Sequence, residues 1–192
     1  MTTKQRFAHK VLQWKGWKFE GEPEALQIWQ DTQKCILIVA PHTSISDYII
    51  GYYSLAALGK KAMFLINKKF FFFPLNLILK AYGGIPVETG KDKDFLQQIV
   101  ELFEKSNRIF LTITPEGTRK KVTRWRKGFH QLTQATNAPL LLGALDYGKK
   151  HIVLGNIFSI TNDFNADMKE IGEFYKDVSG KYPEQFSVHI NP

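Results

Sequence analysis

Apolar residues are distributed along this chain in two alternating rhythms. Short continuous runs at Trp17–Glu20, Cys35–Ala40, Ala62–Asn67, Ile85–Val87, Ile109–Thr114, Leu140–Leu145 and His151–Leu154 predict strands. Segments of helical period lie between and after them, at Glu24–Gln30, Asp47–Leu58, Phe71–Tyr82, Asp92–Lys105, Gly128–Thr136 and Asp167–Tyr175. The clearest is Asp92–Lys105, where Phe95, Ile99, Leu102 and Phe103 form one apolar stripe and Asp94, Gln97, Gln98, Glu101 and Glu104 lie elsewhere. This alternation predicts an α/β fold, a single-domain, mixed but largely parallel central sheet flanked by helices.

The first sixteen residues differ in character. Lys4, Arg6, Lys10 and Lys15 occur without an acidic residue, and Phe7, Val11 and Trp14 fall at helical spacing before Gly16. A basic amphipathic helix is expected, either lying on an anionic membrane surface or packed on its own domain. A chain of 192 residues buries one sizeable core, so residues 1–192 are read as one domain. No apolar run reaches the length that spans a bilayer.

Composition narrows the partners. Twenty-six Lys and Arg against eighteen Asp and Glu give a formal charge of +8, which favours an anionic partner. No nucleic-acid reader motif accompanies that charge, so nucleic acid is not expected as a partner. The five histidines are scattered without ligand spacing, and no metal site is expected. A single cysteine, Cys35, sits in an apolar run and excludes an internal disulfide, which fits a reducing compartment.

The chemistry concentrates in two segments. Pro41-His42-Thr43-Ser44-Ile45-Ser46-Asp47 follows one predicted strand, and Thr114-Pro115-Glu116-Gly117-Thr118-Arg119 follows another. Ligands bind at the carboxyl ends of strands in open α/β sheets, so the two motifs share a crevice if their strands are neighbours. His42 has the side chain whose ordinary pKa suits proton exchange near neutrality, and Asp47 is spaced to hold its other ring nitrogen. An acceptor hydroxyl beside His42 would then attack a thioester directly, without a covalent enzyme intermediate. The same Ser44-Ile45-Ser46-Asp47 also reads as a capping box at a helix start.

In the second segment Gly117 admits close approach to the backbone, and Arg119 offers a planar fork that matches a phosphate. Glu116 is available to orient either Arg119 or His42. Basic residues continue through Lys120, Lys121, Arg124, Arg126 and Lys127, a strip suited to coenzyme A phosphates, an acidic carrier protein or lipid headgroups. Lys68 precedes the greasy run Phe70–Phe73, and is a further candidate for a phosphate beside an acyl groove or membrane contact.

By order as well as by motif, these segments resemble the glycerolipid acyltransferase superfamily, the lysophosphatidate (1-acylglycerol-3-phosphate) acyltransferases in particular, over roughly residues 17–148. The His-x4-Asp block falls on His42 and Asp47, and the block Phe-Pro-Glu-Gly-Thr-Arg falls on Thr114–Arg119 with Thr114 in place of Phe. The Ala-Lys after the second strand region is matched by Asn67-Lys68, and the apolar strand after a proline by Pro139–Ala144. The resemblance implies a glycerol-3-phosphate acyltransferase-like fold with His42 as general base and Asp47 as its orienting partner. It also implies that Lys68, Glu116, Gly117, Thr118 and Arg119 form the substrate site.

The expected function is therefore O-acyl transfer from acyl-CoA or acyl-ACP, as co-substrate, to the hydroxyl of a lysophospholipid or related lipid. No bound cofactor is expected, and the setting expected is the cytoplasmic, inner face of the membrane, with peripheral attachment. Where the family's second block ends in Asp-Arg, this chain has Glu88-Thr89, which widens the expected acceptors to other lysolipids and hydroxyl-bearing aminolipids. The alternatives are a nonenzymatic peripheral membrane-binding protein and a serine hydrolase using Ser44 or Ser46. The second lacks a Gly-x-Ser-x-Gly elbow.

Overall fold

A computed structural model of the chain describes residues 1–88 and 94–187. Its frame is a seven-stranded sheet built from β1 (Lys18–Glu20), β2 (Lys34–Ala40), β3 (Ala62–Asn67), β4 (Gly84–Val87), β5 (Ile109–Ile113), β6 (Leu140–Asp146) and β7 (His151–Phe158). The spatial order is β1-β7-β6-β2-β5-β3-β4, and every neighbouring pair is parallel except β6 with β7. The expected mixed, largely parallel sheet is thus the one observed, with each predicted strand present.

The helices are α1 (Thr3–Trp14), α2 (Pro23–Asp31), α3 (Ile45–Ala57), α4 (Leu75–Ala81), α5 (Asp94–Lys105), α6 (Gly128–Thr136) and α7 (Phe164–Tyr175). The central strands are apolar throughout because the sheet is covered on both sides. On β2, Ile36, Ile38 and Ala40 enter one core layer, with Ile99 of α5, Phe129 of α6 and Tyr175 of α7. The alternate residues Cys35 and Leu37 enter the other layer, with Leu12 of α1, Trp29 of α2 and Leu55 of α3. Removing side chains of this size from water stabilises the fold by about 1.5–3 kcal/mol each. Tyr175 is wholly buried, and its hydroxyl lies 3.1 Å from the Ile38 carbonyl and 3.2 Å from that of Gly143, stitching α7 to both β2 and β6.

Two sequence expectations are corrected, and a third element is oriented. The helix predicted from Phe71 begins only at Leu75, because Pro74 disfavours helical backbone in the residue before it and leaves Phe71–Phe73 irregular. Helix α7 starts three residues earlier than expected, where Asp163 caps it by accepting from the amides of Asn165 and Ala166. On α1, the small and branched residues Ala8 and Leu12 are buried, whereas Phe7 and Trp14 of the expected apolar stripe are 59% and 83% exposed. The helix expected from Asp92 is seen from Asp94, its first two positions lying outside the described residues. No helix among the described residues is long and apolar enough to cross a membrane.

Candidate active site

Strands β2 and β5 are adjacent and parallel, with Ile38 opposite Ile113, so the loops that follow them emerge side by side. The His42 loop and the Glu116–Arg119 turn therefore meet at one edge of the sheet. A hydrogen bond joins them, the backbone amide of His42 donating to Glu116 Oε1 at 2.8 Å. His42 and Arg119 also line the same cavity of about 660 Å³.

Asp47 is the most heavily used group in the site. Its Oδ2 accepts from the amides of Thr43 and Ser44, both at 2.8 Å, and lies 3.2 Å from His42 Nδ1. Ser44 completes the reciprocal cap of α3, so the capping and orienting roles, alternatives in the sequence, are performed by one carboxylate. Burial alone would raise the Asp47 pKa, but hydrogen bonds from His42, Tyr147, Ser44 and Thr43 outweigh it and hold the carboxyl below its ordinary range. In the tautomer that donates Nδ1–H to that anion, the lone pair is on Nε2. The His42 side chain is 23% exposed, so a ligand in the cavity reaches it.

Glu116 plays a supporting part. Only 6% exposed, it holds the His42 backbone through Oε1, while Oε2 has no hydrogen-bond partner among the described residues. Burial is the main cause that pushes its pKa up, and its own backbone amide and that of His42 offset only part of this. At this turn the cavity wall is formed by Pro115, Gly117, Thr118 and Arg119. Gly117 has a φ of +65°, and a Cβ there would come within 2.6–2.9 Å of the Arg126 side chain, so glycine allows that guanidinium to lie across the turn. Arg126 also lines the cavity.

The structure does not bring Lys68 to this wall. It donates to Glu88 Oε1 at 2.6 Å, with both side chains about two-thirds exposed. Apart from its polar residues the cavity is apolar, with Leu37, Val39, Leu55, Leu58 and Leu145 among the residues around it. A cavity lined by an imidazole, arginines and aliphatic residues can receive an anionic headgroup and a hydrocarbon chain together. Among the described residues no cluster of three His, Cys, Asp or Glu side chains is placed to hold a metal ion.

Several site residues were not found from the sequence. Tyr147, in the turn between β6 and β7, donates its hydroxyl to Asp47 Oδ1 at 2.7 Å. The one available signal was its place just beyond a strand that, in the fold, lies next to β2. In the sequence Arg126 stands out only as part of a basic strip. Its neighbour Trp125 is 4% exposed and packs edge-on against Tyr175, which makes it a core residue.

Residues 22–142 match the model of the acyltransferase family, and the chain belongs to that family. Its fold is that of 1-acyl-sn-glycerophosphate (LPA) acyltransferase, PlsC, from Thermotoga maritima, whose crystal structure superposes with a TM-score of 0.60 at 14% sequence identity, covering 90% of this chain and 75% of that one. No curated protein matches the sequence significantly. The expected acyltransferase family and the expected fold are thus both observed, and the chain is an acyltransferase.

Proposed function

We propose that the chain moves a fatty acyl group from acyl-CoA or acyl-ACP to the hydroxyl of a lysophospholipid or related lipid, with His42 as general base. The observation that carries this reading is the His42–Asp47 pair, which opens on a cavity shared with Arg119 and continued by aliphatic side chains. His42 Nε2 takes the proton of the acceptor hydroxyl as its oxygen attacks the thioester carbonyl. The imidazolium so formed is stabilised by Asp47, and the proton is returned to the departing thiolate. The thioester is already activated, so no bound cofactor is needed. Arg119, at the cavity wall, is suited to the acceptor phosphate.

The same proposal places the chain peripherally on the anionic, cytoplasmic face of a membrane. In support, ring contacts run from Phe7 of α1 to Tyr53 and Tyr52 of α3 and on to Tyr82 at the end of α4. Trp14, Phe72, Phe73 and Leu77 also stand exposed, and the net charge is +8. Exposed apolar side chains on a basic chain fit an interface of acyl chains and anionic headgroups.

The test is a transfer assay with an acyl thioester and a panel of lysolipids, products being identified by mass spectrometry. Formation of a diacyl product by the wild-type chain and its loss in His42→Ala is the expected result. Thioester consumption without any acylated lipid would refute the reading.

A further inference from the structure

Residues 179–187 lie beyond the stretch matched to the family, yet they run along the outside of both motif loops. The amide of Tyr147 donates to the Ser179 carbonyl at 2.8 Å, which fixes the start of this segment beside the Asp47 partner. Gly180 packs so closely on the His42 loop that a Cβ would come within 3.0 Å of Thr43 and 3.1 Å of Pro41. Lys181 Nζ then donates to Ser46 Oγ at 2.9 Å, and the Tyr182 amide to Thr43 Oγ1 at 3.2 Å. A short 3₁₀ turn, Pro183–Gln185, follows, and Phe186 packs against Trp125.

Gln185 makes the connection that spans the site. With its amide oriented so that nitrogen faces the two acceptors, it donates to the Thr43 carbonyl at 3.3 Å and to the Arg119 carbonyl at 2.6 Å. One acceptor belongs to the residue after the candidate base, the other to the candidate phosphate ligand. A primary amide has two N–H groups, so one side chain can serve both. Glu116 joins the two loops from the core by holding the His42 amide. Gln185 joins them from the outer side. Neither loop is held to the other by strand hydrogen bonds at this point, since the β2–β5 pairing ends at Ile38 and Ile113.

We infer that Gln185 is a positioning residue for acyl transfer, cross-linking the His42 loop to the Arg119 turn so that base and anion ligand keep one spacing. This rests on the proposed roles of His42 and Arg119. Its physical basis is that transfer between two bound partners depends steeply on alignment, and displacement of one partner by about 1 Å costs up to about a hundredfold in rate. Removing the amide leaves two carbonyls without their shared donor and lets the two loops move apart independently.

The experiment compares Gln185→Met, which keeps the length but loses the donors, with Gln185→Lys, which keeps a donor able to reach carbonyl oxygens. Acyl-CoA and a lysophospholipid are the probes. In Gln185→Met, kcat/KM for the acceptor is expected to fall between about ten- and a hundredfold while the KM for the acyl donor stays unchanged. Gln185→Lys is expected to recover most of the loss. Amide hydrogen exchange, measured well below each Tm, is expected to speed up in residues 43–46 and 117–120 of the Met variant and nowhere else.

Wild-type kcat/KM in Gln185→Met, or equal losses in both variants, would overturn the inference. So would faster exchange with no change in turnover. If the wild-type chain transfers no acyl group to any acceptor, it is the proposed function that fails. The exchange measurement then decides the cross-link by itself, which unchanged protection in the Met variant would remove.

Discussion

The Tyr147 hydroxyl donates to Asp47 Oδ1 at 2.7 Å, so the carboxylate that faces His42 with one oxygen is held by a phenol on the other. Because Asp47 is 5% exposed, no solvent can readily replace that donor. A hydrogen bond to a charged group contributes about 1.5–3 kcal/mol, and Tyr147→Phe is expected to lower stability by that order. Turnover is expected to fall as well. In a double-mutant cycle with Asp47→Asn the two losses should fail to add, and simple additivity in urea unfolding and in kcat would show that the contact is not coupled to the base.

His42→Ala and Asp47→Ala should separate chemistry from folding. General base catalysis supplies about 10² to 10⁴ in rate, and His42→Ala is expected to lose at least that factor with little change in Tm. Asp47→Ala removes the reciprocal cap of α3 along with the imidazole's partner, so it should lose both turnover and about 0.5–2 kcal/mol of stability. Circular dichroism melts beside steady-state kinetics read the contrast. A His42 variant destabilised as much as the Asp47 variant would place the histidine in the scaffold.

Arg119 and Lys68 make a second contrast. Arg119 lines the cavity, whereas Lys68 is paired with Glu88 on the exposed surface. Arg119→Ala should therefore depress kcat/KM for phosphate-bearing acceptors far more than for neutral ones, since a paired, charge-assisted contact is lost. Lys68→Ala should have the smaller effect on both. Equal sensitivity of neutral and phosphorylated acceptors to Arg119→Ala would assign that arginine to structure.

Stability should respond to acid in two opposite senses. The Glu116 pKa is raised above its ordinary 4.5 by burial, so its folding penalty is full above the raised folded-state value and fades as pH falls through that value toward 4.5. Wild type should gain on Glu116→Gln over that interval. The Asp47 pKa is lowered below its ordinary 3.8, so its stabilising effect is complete above that value and lost as pH falls through the lower folded-state value. Urea midpoints across this range test both, and a constant gap between wild type and Glu116→Gln would exclude the first.

Membrane attachment is testable through residues that do not line the cavity. Trp14 and Phe73 are 83% and 78% exposed, and each large apolar side chain moved out of water contributes about 1.5–3 kcal/mol. Replacing both with serine should weaken sedimentation with vesicles containing phosphatidylglycerol by more than tenfold, since about 1.4 kcal/mol is a factor of ten. Binding that is insensitive to both residues but abolished by salt would assign attachment to charge alone.

The sheet was legible because burial on two faces gives β2, β5 and β6 unmistakably apolar sequences, and His42 and Arg119 because each follows such a run. What the sequence withheld depends on strand order. Tyr147 lies a hundred residues from Asp47, and its role becomes visible only once β6 is known to lie beside β2. Gln185 is likewise silent, since nothing local marks a side chain that bridges two distant carbonyls. On α1 periodicity predicted the helix but not its orientation, because close packing against α3 selected the slim Ala8 and Leu12 and turned the large rings outward.

That one carboxylate both starts α3 and faces the imidazole means that the reactive geometry is completed by folding itself. A chain that has wound its third helix has already oriented the imidazole, before any ligand arrives. On the proposed function, binding energy from the substrates is then free to act on the reacting groups, with none of it diverted to assembling the machinery.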